Sequence, residues 1–123
     1  MARPVTAVDA LLVALGAAFG APLRYLVSHW SRAGLHAVPT VGTVVVNVLG
    51  SFVLGLLVGS ALDGRWLALV GVGFCGALTT FSTLALEVWG ALTDRRRTEA
   101  VLNVALSLSL GLGAAWLGYA LTH

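Results

Sequence analysis

Four long apolar stretches constrain this chain more than any other feature of its sequence. They cover residues 8–28, 41–62, 66–90 and 100–121. Each can cross the hydrocarbon core of a bilayer as a helix, which takes about 20 residues. The chain is 59% hydrophobic and 10% charged, whereas a soluble domain carries about 25% charged residues. We therefore predict an all-α, multi-pass protein of the cell membrane, a single domain over residues 1–123 with four transmembrane helices.

The links between these stretches are short and polar, so neighbouring helices should run antiparallel. Asp63-Gly64-Arg65 reads as a tight turn, and residues 93–99 include three consecutive arginines. Aromatic residues fall near the predicted helix ends, as expected of side chains that anchor a protein at the membrane interface. They are Trp30, Trp66, Trp89, Trp116 and Tyr119.

The centre of the third stretch has a low helix propensity. Three glycines, at 71, 73 and 76, are followed by four hydroxyl residues around Phe81. In lipid every backbone polar group needs an internal partner, so a helix can loosen there only where protein or a polar cavity covers it. Transporters place their ions at such breaks. We predict a helix break over residues 73–83 that presents carbonyls, hydroxyls and one phenyl ring to a small ligand.

The other three stretches carry small and polar residues at a spacing of four, which places them on one helix face. The sets are Gly16, Gly20 and Arg24; Thr43, Asn47 and Ser51; and Asn103, Ser107 and Gly111. Arg24 either faces a partner on a packed surface or extends to the interface from a helix end. Asn47 either forms an interhelical hydrogen bond or lines a pore, and its position beside the break favours the pore.

Three further residues have modest interpretations. Asp9 is expected to cap the first helix rather than carry protons, and Cys75 to be a small packing residue. Glu87 either ends a polar track or lies at the interface. The histidines lack metal-ligand spacing and are expected at the interface.

Catalytic motifs are not apparent: there is no phosphate loop, nucleophile–base pair or Cys/His cluster. An enzyme is therefore the least favoured class. Neutral Asn, Ser and Thr donors suit a small anion, and the edge of a phenyl ring is electropositive. Carbonyls freed at the break suit a hard cation such as sodium. A cation held close to an anion would lower the cost of keeping each of them dry.

The chain resembles the Fluc (CrcB) fluoride channels across all four spans, and three segments carry most of the resemblance. They are residues 16–25 with Arg24-Tyr25, residues 42–52 with Asn47 and Gly50-Ser51, and residues 73–87 with Thr79-Thr80-Phe81-Ser82-Thr83. The resemblance implies passive export of cytoplasmic fluoride by an antiparallel, dual-topology dimer. It also implies two narrow pores and a structural sodium ion at the dimer centre.

The resemblance further assigns roles to individual residues. Backbone carbonyls of Gly76 and Thr79 from both subunits would hold the sodium, and Asn47 would donate to fluoride. Arg24 would lie in a vestibule and Phe81 in a pore. The anion pathway is expected to include Arg24, Thr43, Asn47, Phe81, Ser82, Thr83, Glu87, Asn103 and Ser107. Leu84 stands where the family usually has a second Phe, and Asn103 where it often has Tyr.

Arginine placement bears on the partner. Arg3 and Arg65 would share one side of the membrane, whereas Arg32 and residues 95–97 would share the other. This bias favours the first and third links in the cytoplasm. One hypothesis is a heterodimer with an oppositely oriented paralogue that supplies the missing Phe; a homodimer is the simpler default.

Two other functions are compatible with four spans. A small drug/proton antiporter needs a membrane-embedded carboxylate in the first helix, where Asp9 near the end is the only acidic residue. A non-transporting scaffold would use the glycine-rich faces but gives no reason for the break.

Overall fold

Helices make up nearly all of the computed structural model, which describes residues 4–34, 39–61 and 63–123. Three helices are continuous: α1 (Ala7–Gly34), α2 (Pro39–Gly59) and α6 (Arg97–Thr122). The third apolar stretch is divided into α3 (Gly64–Trp66), a π-helical segment (Leu67–Cys75), α4 (Gly76–Leu78) and α5 (Phe81–Thr93). Four spans are long and apolar enough to cross a membrane, as predicted.

The first helix begins with a reciprocal capping arrangement. The Thr6 N–H donates to Asp9 Oδ2 at 3.0 Å, and the Asp9 N–H donates to Thr6 Oγ1 at 3.3 Å. These bonds satisfy backbone donors that have no partner within the helix. The cap expected of Asp9 is therefore confirmed.

Two tight links join the later spans. Asp63 Oδ1 accepts from the N–H groups of Arg65, at 2.9 Å, and Trp66, at 3.4 Å, and so caps α3. After α5, Arg95 adopts a left-handed φ of 61° while the Arg96 N–H donates to the Ala91 carbonyl at 2.7 Å. This left-handed C-cap reverses the chain within three residues. The short polar links are thus built from local backbone hydrogen bonds.

Glycines allow the spans to pack backbone against backbone. A Cβ added to Gly73 would lie 2.5 Å from the Val13 carbonyl oxygen, and one added to Gly16 would overlap the Leu69 carbonyl. In the same way, a Cβ on Gly55 or Gly118 would overlap backbone across the contact between α2 and α6. The bundle therefore consists of two close pairs, α1 with the π-helical segment and α2 with α6.

The predicted break is present but narrower than expected. Thr79, with φ −79° and ψ 157°, and Thr80, with φ −147° and ψ 119°, are extended. Gly73 and Gly76 remain helical, so the prediction of a break over residues 73–83 was too wide. Gly73 instead allows close packing against α1. The spacing of the glycines alone cannot distinguish a glycine needed for packing from one that marks a break.

Histidines at helix ends are exposed, as expected for the interface. His29 stacks on Tyr25 with ring centroids 6.1 Å apart, and His123 stacks on Tyr119 at 4.6 Å. His36 and Arg3, like the side chain of Arg32, lie outside the described residues.

Candidate functional site at the break in the third span

A side-chain amide on α2 holds the broken backbone. Asn47 Oδ1 accepts from the Thr80 N–H at 2.8 Å, and Asn47 Nδ2 donates to the Thr80 carbonyl at 3.2 Å. The amide thus supplies both hydrogen bonds that the helix gives up at this residue, as buried backbone requires in lipid. The interhelical interpretation of Asn47 is therefore correct, and it places the amide directly at the break.

The hydroxyl of Thr80 begins the next helix. The Thr83 N–H donates to Thr80 Oγ1 at 3.1 Å, and Thr80 Oγ1 donates to Thr83 Oγ1 at 3.0 Å. Ser82 Oγ lies 3.3 Å from the same oxygen. A threonine at this position is a good N-cap, since its oxygen accepts from the third helical N–H. The hydroxyls of the break thus serve its local structure first.

Two carbonyls lose their usual helical donors as a consequence. The N–H four residues beyond Gly76 belongs to Thr80 and is used by Asn47. The N–H four residues beyond Thr79 belongs to Thr83 and is used by Thr80 Oγ1. Backbone carbonyl oxygens in this state are suitable ligands for a hard cation. These are the two residues to which the family resemblance assigns the sodium.

Arg24 reaches the break from α1. Its Nη1 lies 3.4 Å from the carbonyl oxygen of Thr79 and donates to it. Of the two interpretations left open by the sequence, the packed face is the one observed. The charge of the guanidinium therefore lies beside a carbonyl of the break.

An open groove of about 360 Å³ runs along the break. Asn47, Phe81 and Ser107 line it together with Cys75 and Leu84. Phe81 is 81% exposed although it lies within a membrane span, whereas Cys75 is buried. Among the described residues the groove is open on one side, and its mostly apolar lining carries a few polar side chains and one phenyl ring.

A second cavity of about 650 Å³ lies toward the end of α5 and is lined by two of the other predicted pathway residues. Glu87 and Asn103 line it. Thr43 donates to Glu87 Oε2 at 3.0 Å, while Glu87 Oε1 is buried without a hydrogen bond among the described residues. Glu87 therefore packs against Thr43 of α2, and this contact is compatible with either a polar track or a position near the interface.

One hydrogen bond connects the groove to the second cavity. Ser107 lines the groove, Asn103 lines the second cavity, and Ser107 Oγ lies 3.4 Å from Asn103 Oδ1. Both residues are buried. Thr43 with Glu87 and Ser107 with Asn103 thus form two hydrogen-bonded polar pairs, and Asn47 lines the groove together with Ser107.

Two charged residues of this cavity were missed by sequence reasoning. Arg96 and Glu99 line it, and Arg96 hydrogen-bonds Glu99 and lies 3.3 Å from Asp94. The Glu99 hydrogen bond, the Glu99 charge and Asp94 raise the pKa of the Arg96 guanidinium. The spacing of three between Arg96 and Glu99 was the available signal, since such residues meet on a helix. From the sequence alone, Arg96 was interpreted only as one of the charges that indicate membrane orientation.

Four spans and a break in the third, held by Asn47, are typical of a small polytopic membrane protein of the channel or transporter class. Residues 11–119 match the family of CrcB-like proteins, described as Camphor Resistance (CrcB). The chain is 49% identical over 112 residues to fluoride-specific ion channel FluC 2 of Rhodococcus jostii, covering 91% of this chain and 96% of that one. It is 46% identical over 109 residues to FluC 1 of Geobacillus kaustophilus, covering 89% and 93% of the two chains. The chain therefore belongs to the CrcB/FluC family, whose named members here are ion channels and not enzymes.

Proposed function

We propose that this protein is a fluoride-selective channel through which cytoplasmic fluoride leaves passively. The observation that carries the proposal is the Asn47–Thr80 pair, which holds a break in a spanning helix beside buried polar side chains. Family membership supports the choice of ion. Fluoride is small and strongly hydrated, so its passage requires donors that replace water at close range.

The groove supplies such donors. Asn47 Nδ2 carries two hydrogens, and Thr80 uses one of them, which leaves the second for an anion. Ser107 Oγ, which donates to Asn103 Oδ1 at 3.4 Å, would turn its one hydrogen toward a bound anion, and the edge of the Phe81 ring is electropositive. The positive end of the α5 dipole lies at the same place, because α5 begins at Phe81. Ser82 and Thr83 belong to this first turn.

The second cavity continues the pathway. Thr43, Glu87 and Asn103 provide hydroxyl, carboxyl and amide groups beyond the Ser107–Asn103 contact. Arg24 contributes a positive charge near the break from the other side of the third span. The proposed route thus runs past Asn47, Phe81, Ser107, Asn103 and Glu87, which line the two cavities, with Arg24, Thr43, Ser82 and Thr83 close to it.

A second subunit completes the site in this proposal. Phe81 and Gly76 are both exposed in the single chain, and non-helical backbone at membrane depth is tolerated only where protein or a water-filled cavity covers it. An antiparallel dimer would cover each groove with the other subunit. A homodimer is the default, and a heterodimer with an oppositely oriented paralogue would supply a Phe where this chain has Leu84.

A structural sodium ion at the dimer centre fits the residues present. The Gly76 and Thr79 carbonyls have lost their helical donors, as the fit of a hard cation requires. When bound, the ion would supply a fixed positive charge close to the anion route. The Thr79 carbonyl also accepts a hydrogen bond from Arg24 Nη1 at 3.4 Å, so a sodium ion would share this oxygen with the guanidinium.

Fluoride-electrode recordings on liposomes containing only this chain test the proposal. We expect passive efflux from fluoride-loaded liposomes, with sodium present, and none from matched chloride-loaded liposomes read with a chloride electrode. Replacing buried Ser107 by Ala should slow fluoride efflux at least about tenfold, because a single charge-assisted hydrogen bond contributes about 1.5–3 kcal/mol. The exposed Ser109→Ala variant is the control.

Two results would contradict the proposal. One is equal efflux of fluoride and chloride. The other is no fluoride efflux, either from liposomes with this chain alone or from liposomes that also contain an oppositely oriented paralogue. Activity only with the paralogue would select the heterodimer.

A further inference from the structure

We propose that Arg24 competes with the bound cation for the Thr79 carbonyl, so that this arginine sets how tightly the break holds sodium. The inference rests on the sodium site of the proposed function. It adds a residue from a different helix that lowers the affinity of that site.

The position of Arg24 follows from the packing of α1. One turn earlier, a Cβ added to Gly20 would overlap the Phe74 carbonyl and lie 3.1 Å from Ala77 Cβ. The backbone of α1 therefore lies directly against α4. Because residues four apart share a helix face, the longer Arg24 side chain continues along α4 to its end. There its Nη1 donates to the Thr79 carbonyl at 3.4 Å.

The Thr79 carbonyl accepts this donor because the break has freed it. Thr79 has an extended ψ of 157°, and the Thr83 N–H that would reach it in a helix donates to Thr80 Oγ1 instead. The other groups of Thr79 are used within its own segment, since its N–H and its hydroxyl both donate to the Cys75 carbonyl at 2.9 Å. Arg24 thus contacts the one backbone group of Thr79 that is directed away from the helix.

Two cations on one oxygen oppose each other. The guanidinium draws electron density from the carbonyl, and its charge repels a sodium ion on the same oxygen from a few ångströms away. Such repulsion is far stronger in a partly buried site than in bulk water. Removing the charge of Arg24 should therefore tighten sodium binding by about tenfold or more.

The opposite outcome has an equally clear physical basis. If the Arg24 hydrogen bond shapes the break, then its loss would turn the Thr79 carbonyl away and weaken sodium binding. The sign of the change in sodium affinity thus separates competition from scaffolding.

Thermal unfolding of the full chain in detergent, titrated with NaCl against choline chloride, measures this affinity without any flux. A ligand that binds only the folded protein raises the unfolding midpoint by an amount that depends on its dissociation constant. We expect half-maximal stabilisation of Arg24→Gln at a sodium concentration at least about tenfold below that of the wild type. Arg24→Lys, which keeps the charge, should stay within about threefold of the wild type.

Arg24→Met is a second neutral variant, for use if Arg24→Gln does not fold. An unchanged or weaker sodium response in the neutral variants would overturn the inference while leaving the sodium site intact. A wild type without any sodium response would overturn both. The fluoride-efflux measurement above is read separately, so failure of conduction is distinguishable from either result.

Discussion

Asn47 and Thr80 are joined by two hydrogen bonds, one in each direction, between a side-chain amide on α2 and the backbone of the third span. This exchange reproduces the pairing of two strands and replaces the helical bonds that Thr80 lacks. It makes the break an intrinsic property of the single chain.

Replacing Asn47 by Ala should destabilise the folded protein markedly. The change leaves a buried N–H and a buried carbonyl of Thr80 without partners, at about 1–3 kcal/mol for each group. Thermal unfolding in detergent measures the loss. Ser51→Ala, one turn further along α2, is the matched control and should stay within about 0.5 kcal/mol. Equal stability of the two variants would show that the amide is dispensable for the break.

The hydroxyl of Thr80 can be tested by shape-conserving replacements. Thr80→Val removes the oxygen that accepts from the Thr83 N–H at 3.1 Å, and loss of such a cap costs about 0.5–2 kcal/mol. Thr80→Ser keeps the oxygen and should retain most of the stability in the same unfolding assay. If Val and Ser behave alike, the methyl group rather than the cap is what matters.

Glycine packing predicts a sharp contrast between two Ala substitutions. Gly73→Ala places a Cβ 2.5 Å from the Val13 carbonyl oxygen, so α1 must move away from the π-helical segment. Gly113→Ala meets no atom within 4 Å. We expect Gly73→Ala to lower the unfolding midpoint and the yield of folded protein, while Gly113→Ala leaves both unchanged. A tolerated Gly73→Ala would mean that this helix contact is loose.

The left-handed residue after α5 offers a stabilising substitution. Arg95 has φ 61°, a conformation that costs a side chain about 1 kcal/mol and costs glycine almost nothing. Arg95→Gly should therefore raise the free energy of unfolding by about 0.5–1 kcal/mol. Arg97→Gly removes the same charge at the first residue of α6 and should be neutral or destabilising. A matching effect of both changes would assign the gain to charge.

The charges of the second cavity should affect fluoride conduction mainly at low salt. Glu99 hydrogen-bonds Arg96 and offsets its charge. Glu99→Gln makes the cavity more positive, so efflux should rise about two- to threefold at low ionic strength and return to the wild-type rate near 1 M salt. Arg96→Gln should act in the opposite direction. A salt-independent effect would point to a structural change, since the Arg96–Glu99 pair is exposed and contributes little to stability.

The spans and the break could be predicted from sequence, because both depend on local composition. Segment length and apolarity determine the spans, and glycines followed by hydroxyl residues at mid-membrane indicate a departure from helix. The roles of the individual side chains at the break could not be predicted. Whether a threonine hydroxyl faces a ligand or caps a helix depends on backbone angles at Thr79 and Thr80, and those depend on the contact with Asn47.

The same limit applies to Arg24 and to the π-helical segment. A stripe of Gly16, Gly20 and Arg24 indicates a packed face, but the partner of that face is decided by tertiary contact. Sequence spacing likewise cannot tell that Gly73 accommodates the Val13 carbonyl while Thr79 and Thr80 form the break. Residues 94–99 were interpreted for orientation alone because their cavity exists only once α2 packs beside α5 and α6.

If two copies pair as proposed, a newly inserted subunit would acquire its non-helical segment before it meets another subunit, because Asn47 and Thr80 belong to the same polypeptide. Lateral diffusion in the bilayer would then bring together surfaces that already have their final shape, and pairing would require no refolding of the lipid-embedded backbone. The encounter of two subunits, rather than rearrangement within either one, would set the rate of assembly.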